Sequence, residues 1–189
     1  MEIKKITVGE LQTNCYFLVD SGEVAIVDPG DEADKIISEI EKLGVKITFI
    51  INTHNHFDHI GANRELKEKF GVKILIHKSD AGGEVLADGF LKQGDILNIG
   101  KSSVKVVETP GHTLGSICLF GDGFVISGDT LFEEGFGRTD LVGGSNKDMA
   151  ASLRKLDQLI PEGAMVYPGH GNEFCYKKGM AIAWLDYLD

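Results

Sequence analysis

The nearly unbroken apolar run Ile47-Thr48-Phe49-Ile50-Ile51 sets the tightest limit on how this chain can fold. It reads as a strand buried on both faces, a kind of strand found where other layers cover both sides of a sheet. The chain then changes character at once, to Thr53-His54-Asn55-His56-Phe57-Asp58-His59. Three of the chain's 6 histidines and a carboxylate fall in that stretch. Side chains alternate along an extended chain, so His54, His56 and Asp58 are expected on one side. His59 then opens a helical pattern through Ile60, Ala62, Leu66 and Phe70 that stops at Gly71. A strand end feeding a helix start is a common place for ligands in α/β proteins. Neutral imidazole and carboxylate suit divalent zinc, iron or manganese.

The chain has 189 residues, enough for one domain with a proper core, and 1–189 is read as a single domain. Its formal net charge of −10 disfavours nucleic acid and anionic membranes as partners. A small anionic substrate stays compatible, because a bound metal reverses the local field. The sequence has no run of eighteen apolar residues and no signal-peptide core after Met1, which points to a cytoplasmic protein. Cys15, Cys118 and Cys175 are widely spaced and odd in number, so a disulfide framework is not expected and each reads as a small buried hydrophobe.

Short β-rich runs cover Glu2–Val8, Asn14–Asp20 and Glu23–Asp28, with Ser21-Gly22 as the turn between the last two. Asp31 is placed to cap a helix whose Ala33, Ile36, Ile37, Ile40 and Leu43 share one face. Lys73–His77 reads as a strand, and residues 79–94 as an irregular, glycine-rich stretch with a short helix. Hairpins follow at 96–108 and 117–127. A glycine-rich loop, Gly135–Gly144, leads to a helix with Met149, Leu153, Leu156 and Ile160 on one face. Met165–Tyr167 is a last strand, and a terminal helix is expected near Met180–Leu188. Two mostly β halves with amphipathic helices suggest two packed sheets with helices outside.

Candidate ligands recur just after strands: Asp28, the 54–59 cluster, His112, Asp129 and His170. Pro110-Gly111-His112, Gly128-Asp129-Thr130 and Pro168-Gly169-His170-Gly171 turn the chain sharply at three of them. His54, His56, Asp58, His59, His112, Asp129 and His170 are more groups than one catalytic zinc needs. They suit two metals sharing a bridge, and the two oxygens of Asp129 make it the natural bridging ligand.

In that order these motifs resemble the metallo-β-lactamase fold superfamily, over nearly the whole chain. Val27-Asp28-Pro29-Gly30 also fits that family's first motif. Gly128-Asp129-Thr130-Leu131-Phe132, with Gly135-Phe136-Gly137-Arg138 after it, is similar to the short single-domain branch of glyoxalase II, or hydroxyacylglutathione hydrolase. The resemblance implies an α/β (α+β) fold arranged as a four-layer αββα sandwich. It assigns His54, His56 and His112 to one metal and Asp58, His59 and His170 to a second, with Asp129 bridging and Asp28 orienting a ligand from behind. It further implies two divalent ions, zinc first and iron or manganese as alternatives. The expected activity is hydrolysis of a small-molecule thioester by a metal-generated hydroxide that Asp58 helps orient. A thiol ionises near pH 8.5, so it leaves without a strong general acid. The protein is expected as a monomer or small homo-oligomer.

Secreted lactamases of this fold carry signal peptides and usually a cysteine where Asp129 stands. Flavodiiron proteins place a glutamate at the position of His56. Arg138 stands where glyoxalase II contacts the carboxylate end of glutathione, and is the candidate substrate-binding residue. Asp140 replaces that family's aromatic, and its C-terminal helical domain is not expected here. The rival reading is a persulfide dioxygenase, whose Gly-Arg-Thr-Asp run occurs here as Gly137-Arg138-Thr139-Asp140. That family holds one iron through the equivalents of His54, His112 and Asp129, an arrangement open to oxygen.

Overall fold

A computed structural model describes residues 1–82 and 85–188. The chain opens with β1 (Glu2–Val8), β2 (Thr13–Asp20), β3 (Glu23–Val27), α1 (Ala33–Leu43) and β4 (Lys46–Ile51). α2 (Phe57–Ile60), α3 (Asn63–Phe70), β5 (Lys73–His77) and β6 (Gly89–Leu91) complete the first half. The second half runs β7 (Ile96–Ile99), β8 (Ser102–Glu108), β9 (Ile117–Gly121), β10 (Phe124–Gly128), β11 (Leu131–Phe132) and β12 (Gly135–Phe136). It ends with α4 (Asn146–Leu159), β13 (Met165–Pro168) and β14 (Phe174–Cys175).

Each half builds one six-stranded sheet, ordered β1-β2-β3-β4-β5-β6 and β14-β13-β10-β9-β8-β7. Strand alternation sorts the apolar residues into three cores. Tyr16, Leu18, Ala25, Val27 and Ile51 face inward, against Val104, Val106, Ile117, Leu119 and Ile126 of the second sheet. Their neighbours Phe17, Val24, Ile26 and Ile50 face outward, under Ile36 and Ile40 of α1 and Leu66 of α3. On the other side Cys118, Val125 and Val166 lie under Met149, Leu153 and Leu156 of α4. The result is the αββα sandwich. Each fully buried Ile or Leu contributes about 1.5–3 kcal/mol relative to exposure, so strict alternation fixes the register of both sheets.

Strand direction then decides where function can sit. β3, β4 and β5 run parallel. In the second sheet β8 and β10 are both antiparallel to β9, and β13 is parallel to β10. These six strands therefore end at two shared edges, one per sheet. The edges meet where the Ile117 amide donates to the Thr53 carbonyl at 2.9 Å.

Several expectations need correction. The single helix from His59 to Phe70 is two helices, broken at Gly61-Ala62. The Ala62 amide donates to the Pro29 carbonyl at 3.0 Å instead of continuing the helix, and the Gly30 backbone packs against the Asp58 carbonyl. Asp31 does not cap α1: its Oδ1 accepts from the Glu32 amide at 2.6 Å, and left-handed Glu32 takes the cap position. Residues 78–80 form a 3₁₀ turn and β6 lies within the stretch read as irregular, part of which, 83–84, falls outside the described residues. The terminal helix is a 3₁₀ helix, Ile182–Tyr187. Cys15 and Cys118 are buried, but Cys175 is exposed, on the edge strand β14. No helix among the described residues is long and apolar enough to cross a membrane.

Candidate metal centre

The six strand ends deliver their polar residues to one place. His54, His56 and His112 point nitrogens at a common spot, and Asp58, His59 and His170 do the same beside it. His54 Nε2 lies 3.1 Å from His56 Nδ1. His59 Nε2 and His170 Nε2 are 3.3 Å apart. Asp129 stands between the groups: Oδ2 is 3.5 Å from both His112 Nε2 and His170 Nε2, and Oδ1 is 3.5 Å from His59 Nε2. All seven groups named from the sequence are thus brought together. The route differs from the one expected. Residues 52–56 are not a strand, and Asp58 begins a helical turn that carries it away from His54 and His56 to His59 and His170.

A shell of hydrogen bonds aims the rings of His54, His59, His112 and His170. Asp28, at φ 52, holds a left-handed backbone that suits few residues other than Gly, Asn and Asp. Its carboxylate accepts from the Thr53 amide at 2.7 Å and the Thr53 hydroxyl at 2.6 Å, and faces His59 Nδ1 at 3.1 Å. With its proton given to Asp28, the Thr53 oxygen accepts from His54 Nδ1 at 3.1 Å. His112 Nδ1 donates to the Arg138 carbonyl at 2.7 Å, and His170 Nδ1 to the Leu11 carbonyl at 3.0 Å. Each such bond leaves the other ring nitrogen facing the cluster.

β2 positions the last histidine. The Asn14 amide donates to the Gly169 carbonyl at 2.8 Å, Asn14 Nδ2 to the Pro168 carbonyl at 2.9 Å, and Tyr16 Oη to the same carbonyl at 2.6 Å. Gly169 is required by close approach, since a Cβ there would run into Asp129 Oδ1 and stand 2.8 Å from His59 Cε1.

The donor set fits metal ions. His112 Nε2 and Asp129 Oδ1 are buried without a hydrogen-bond partner, a cost of about 1–3 kcal/mol each unless something binds them. Burial, reinforced by the neighbouring histidines, pushes His54 well below the usual imidazole range and leaves it neutral, as a ligand must be. Around His170 burial opposes charge, but Asp129 and Asp58 outweigh it and lift the ring to about 10. Burial works against ionisation of Asp58 and Asp129 too, yet the facing histidines hold both below the usual carboxylate range. The second group thus gathers positive charge around two carboxylates, which is what a cation supplies.

Several contributors have no sequence motif. Thr13 donates to Asp58 Oδ2 at 2.8 Å. Asp80, buried after β5, accepts from the Asn55 amide at 3.1 Å, the Thr113 hydroxyl at 2.6 Å and the Gly115 amide at 2.6 Å. It ties the loop of His54 and His56 to the loop of His112. Its one available signal was position: a carboxylate shortly after a parallel strand, as with Asp28. The Arg138 side chain lies outside the cluster, exposed and held by Asp140 through two bonds of 2.7 and 2.8 Å. Its carbonyl, not its charge, reaches the site.

Comparison with known proteins gives the family. The chain is 32% identical to a hydroxyacylglutathione hydrolase GloC of Haemophilus influenzae, over 91% of this chain and 92% of that protein. It superposes on the BLEG-1 B3 metallo-beta-lactamase with a TM-score of 0.87 at 30% identity, covering 99% of both chains. It superposes on ETHE1 from Myxococcus xanthus with a TM-score of 0.83 at 30% identity, over 91% of this chain and 76% of that one. The metallo-beta-lactamase superfamily profile matches residues 8–170, from the end of β1 to the last histidine of the cluster, and the chain belongs to that superfamily.

Proposed function

We propose that this metallo-hydrolase is a thioesterase of glyoxalase II type, acting on a hydroxyacyl-glutathione or a similar thioester, with two divalent ions, zinc foremost. The observation that carries this reading is the place of Asp129. One carboxylate faces His112 on one side and His59 and His170 on the other, with Oδ1 buried and unpaired. His54, His56 and His112 would hold one ion, and Asp58, His59 and His170 the other. Bound there, divalent metal supplies a hydroxide nucleophile at neutral pH and polarises a carbonyl.

The protein's own groups do the rest. Asp58, its Oδ2 anchored by the Thr13 hydroxyl, has one fixed orientation from which to align the nucleophile. The Asp28–Thr53–His54 chain and the Arg138 carbonyl hold two imidazoles in the tautomer that presents Nε2 inward. The thiolate leaves without a proton donor, since its conjugate acid ionises near pH 8.5. The one-iron oxygenase family shares the His-x-His-x-Asp-His frame, so metal content is what separates the two readings.

The test is metal content together with thioester hydrolysis, in wild type and in the double variant His59→Ala/His170→Ala. Two metal equivalents and loss of hydrolysis in the variant are expected. One iron per chain, with oxygen uptake that survives the double substitution, would sink the proposal.

A further inference from the structure

We infer that, among the thioesters this reading admits, the protein prefers one whose thiol portion is uncharged and amide-bearing over the carboxylate-bearing glutathione thioester, an inference that rests on the thioesterase reading above. Two cavities open onto the second ligand group. One, of about 430 Å³, is bounded by Phe132, Glu133, Glu134, His170 and Asn172. The other, of about 230 Å³, is bounded by Glu10, Leu11, Asp31, Phe57 and Asp58, among others. Their linings combine apolar surface with carboxylates. Phe57 is 73% exposed and Leu11 54%, large apolar groups left bare at the mouth of a polar centre. No lysine or arginine lines either cavity.

Three cations near this end of the molecule are engaged in ion pairs. Lys5, which reaches the Gly171 carbonyl, is held by Glu173 at 2.7 Å. Lys35, which reaches the Thr7 carbonyl, is held by Glu32 at 3.2 Å. Arg138 is held by Asp140 in the forked geometry that fits a carboxylate best, so a substrate carboxylate would have to displace one already in place.

The larger cavity fits the longer, thiol-derived part of a thioester. Glu133, Glu134 and the Asn172 amide oxygen accept hydrogen bonds from amide N–H groups, and Phe132 covers methylenes. A carboxylate brought to the same place meets the like charges of Glu133 and Glu134 and no lysine or arginine among the lining residues, which lowers its rate of productive encounter. The smaller cavity, with Phe57 and Leu11, takes the acyl group.

The experiment compares two thioesters of one 2-hydroxyacyl group, lactoyl-N-acetylcysteamine and lactoyl-glutathione, on the metal-loaded protein at low salt. The expected kcat/KM is at least about fivefold higher for the neutral thioester. Raising the ionic strength narrows that ratio by screening the repulsion. The variant Glu133→Gln/Glu134→Gln also narrows it, through KM for the glutathione thioester. A ratio below fivefold overturns the inference, and so does a ratio that neither salt nor the double substitution moves. Hydrolysis of neither thioester overturns the thioesterase reading itself, and this inference with it.

Discussion

The two ligand groups lie side by side but are built differently. His54, His56 and His112 form an all-nitrogen group. Their rings sit deep or half-buried, and burial and mutual repulsion lower the basicity of His54 and His56. Asp28, Thr53, Asp80 and the Arg138 carbonyl brace this group from behind. The second group mixes Asp58, His59 and His170. His170 is partly open to the large cavity, and this group is braced by Thr13, the Leu11 carbonyl and the β2 latch on Pro168–Gly171. The contrast suggests a division of labour. On the proposed reading, the buried neutral group would hold its ion tightly and the open charged group would meet substrate.

Asp129 belongs to both groups, so its loss should erase the contrast. Asp129→Ala is expected to lower kcat/KM by about 10³-fold or more and to reduce metal content at both positions, read by elemental analysis. Gly169→Ala comes next. A Cβ at that position collides with Asp129 Oδ1 and crowds His59. Loss of about 10²-fold in activity is expected, with metal lost first from the second group; an unchanged metal content would show that the backbone there yields.

Asp80→Asn should act on the first group alone. It keeps the size of the side chain but replaces one acceptor oxygen by a donor, facing either the Gly115 amide or the Asn55 amide and Thr113 hydroxyl. Bracing residues of this kind change metal affinity by about 10–100-fold. Stoichiometric metal titration should then show weakening of the tighter site only. Thr13→Val removes one hydrogen bond from Asp58 and should lower kcat by about tenfold or less, leaving the first group's affinity intact; equal weakening of both sites would break the comparison. The smallest effect is chemical. Burial lifts the Cys118 thiol to about 11 and pushes Cys15 up as well. Alkylation of the native protein near neutral pH should therefore label Cys175 alone, read by mass spectrometry, and leave activity unchanged.

Much of this was legible in the chain. His54 to His59, His112, Asp129 and His170 each follow a β-rich run, and the last three are marked by glycine or proline. That punctuation is local chemistry, so it can be read without a fold. The layers were legible for a similar reason: the alternation in Tyr16-Phe17-Leu18 and Val24-Ala25-Ile26 sends neighbours to opposite cores. Asp80 and Thr13 were not legible. Nothing near them in sequence differs from an ordinary surface carboxylate or hydroxyl, and their partners lie at Asn55, Thr113 and Asp58. The break at Gly61-Ala62 escaped for the same reason, because its cause is the Pro29 carbonyl.

By itself, then, the sequence determined the layers, the strand ends and the seven ligand candidates, since hydrophobic period and turn chemistry act over a few residues. The family resemblance supplied their division into two groups, and only the tertiary structure decided which carbonyls and carboxylates aim them and which charges line the approach. Those choices depend on contacts between distant residues, such as the Leu11 carbonyl and His170, 159 positions apart, where no local pattern reaches.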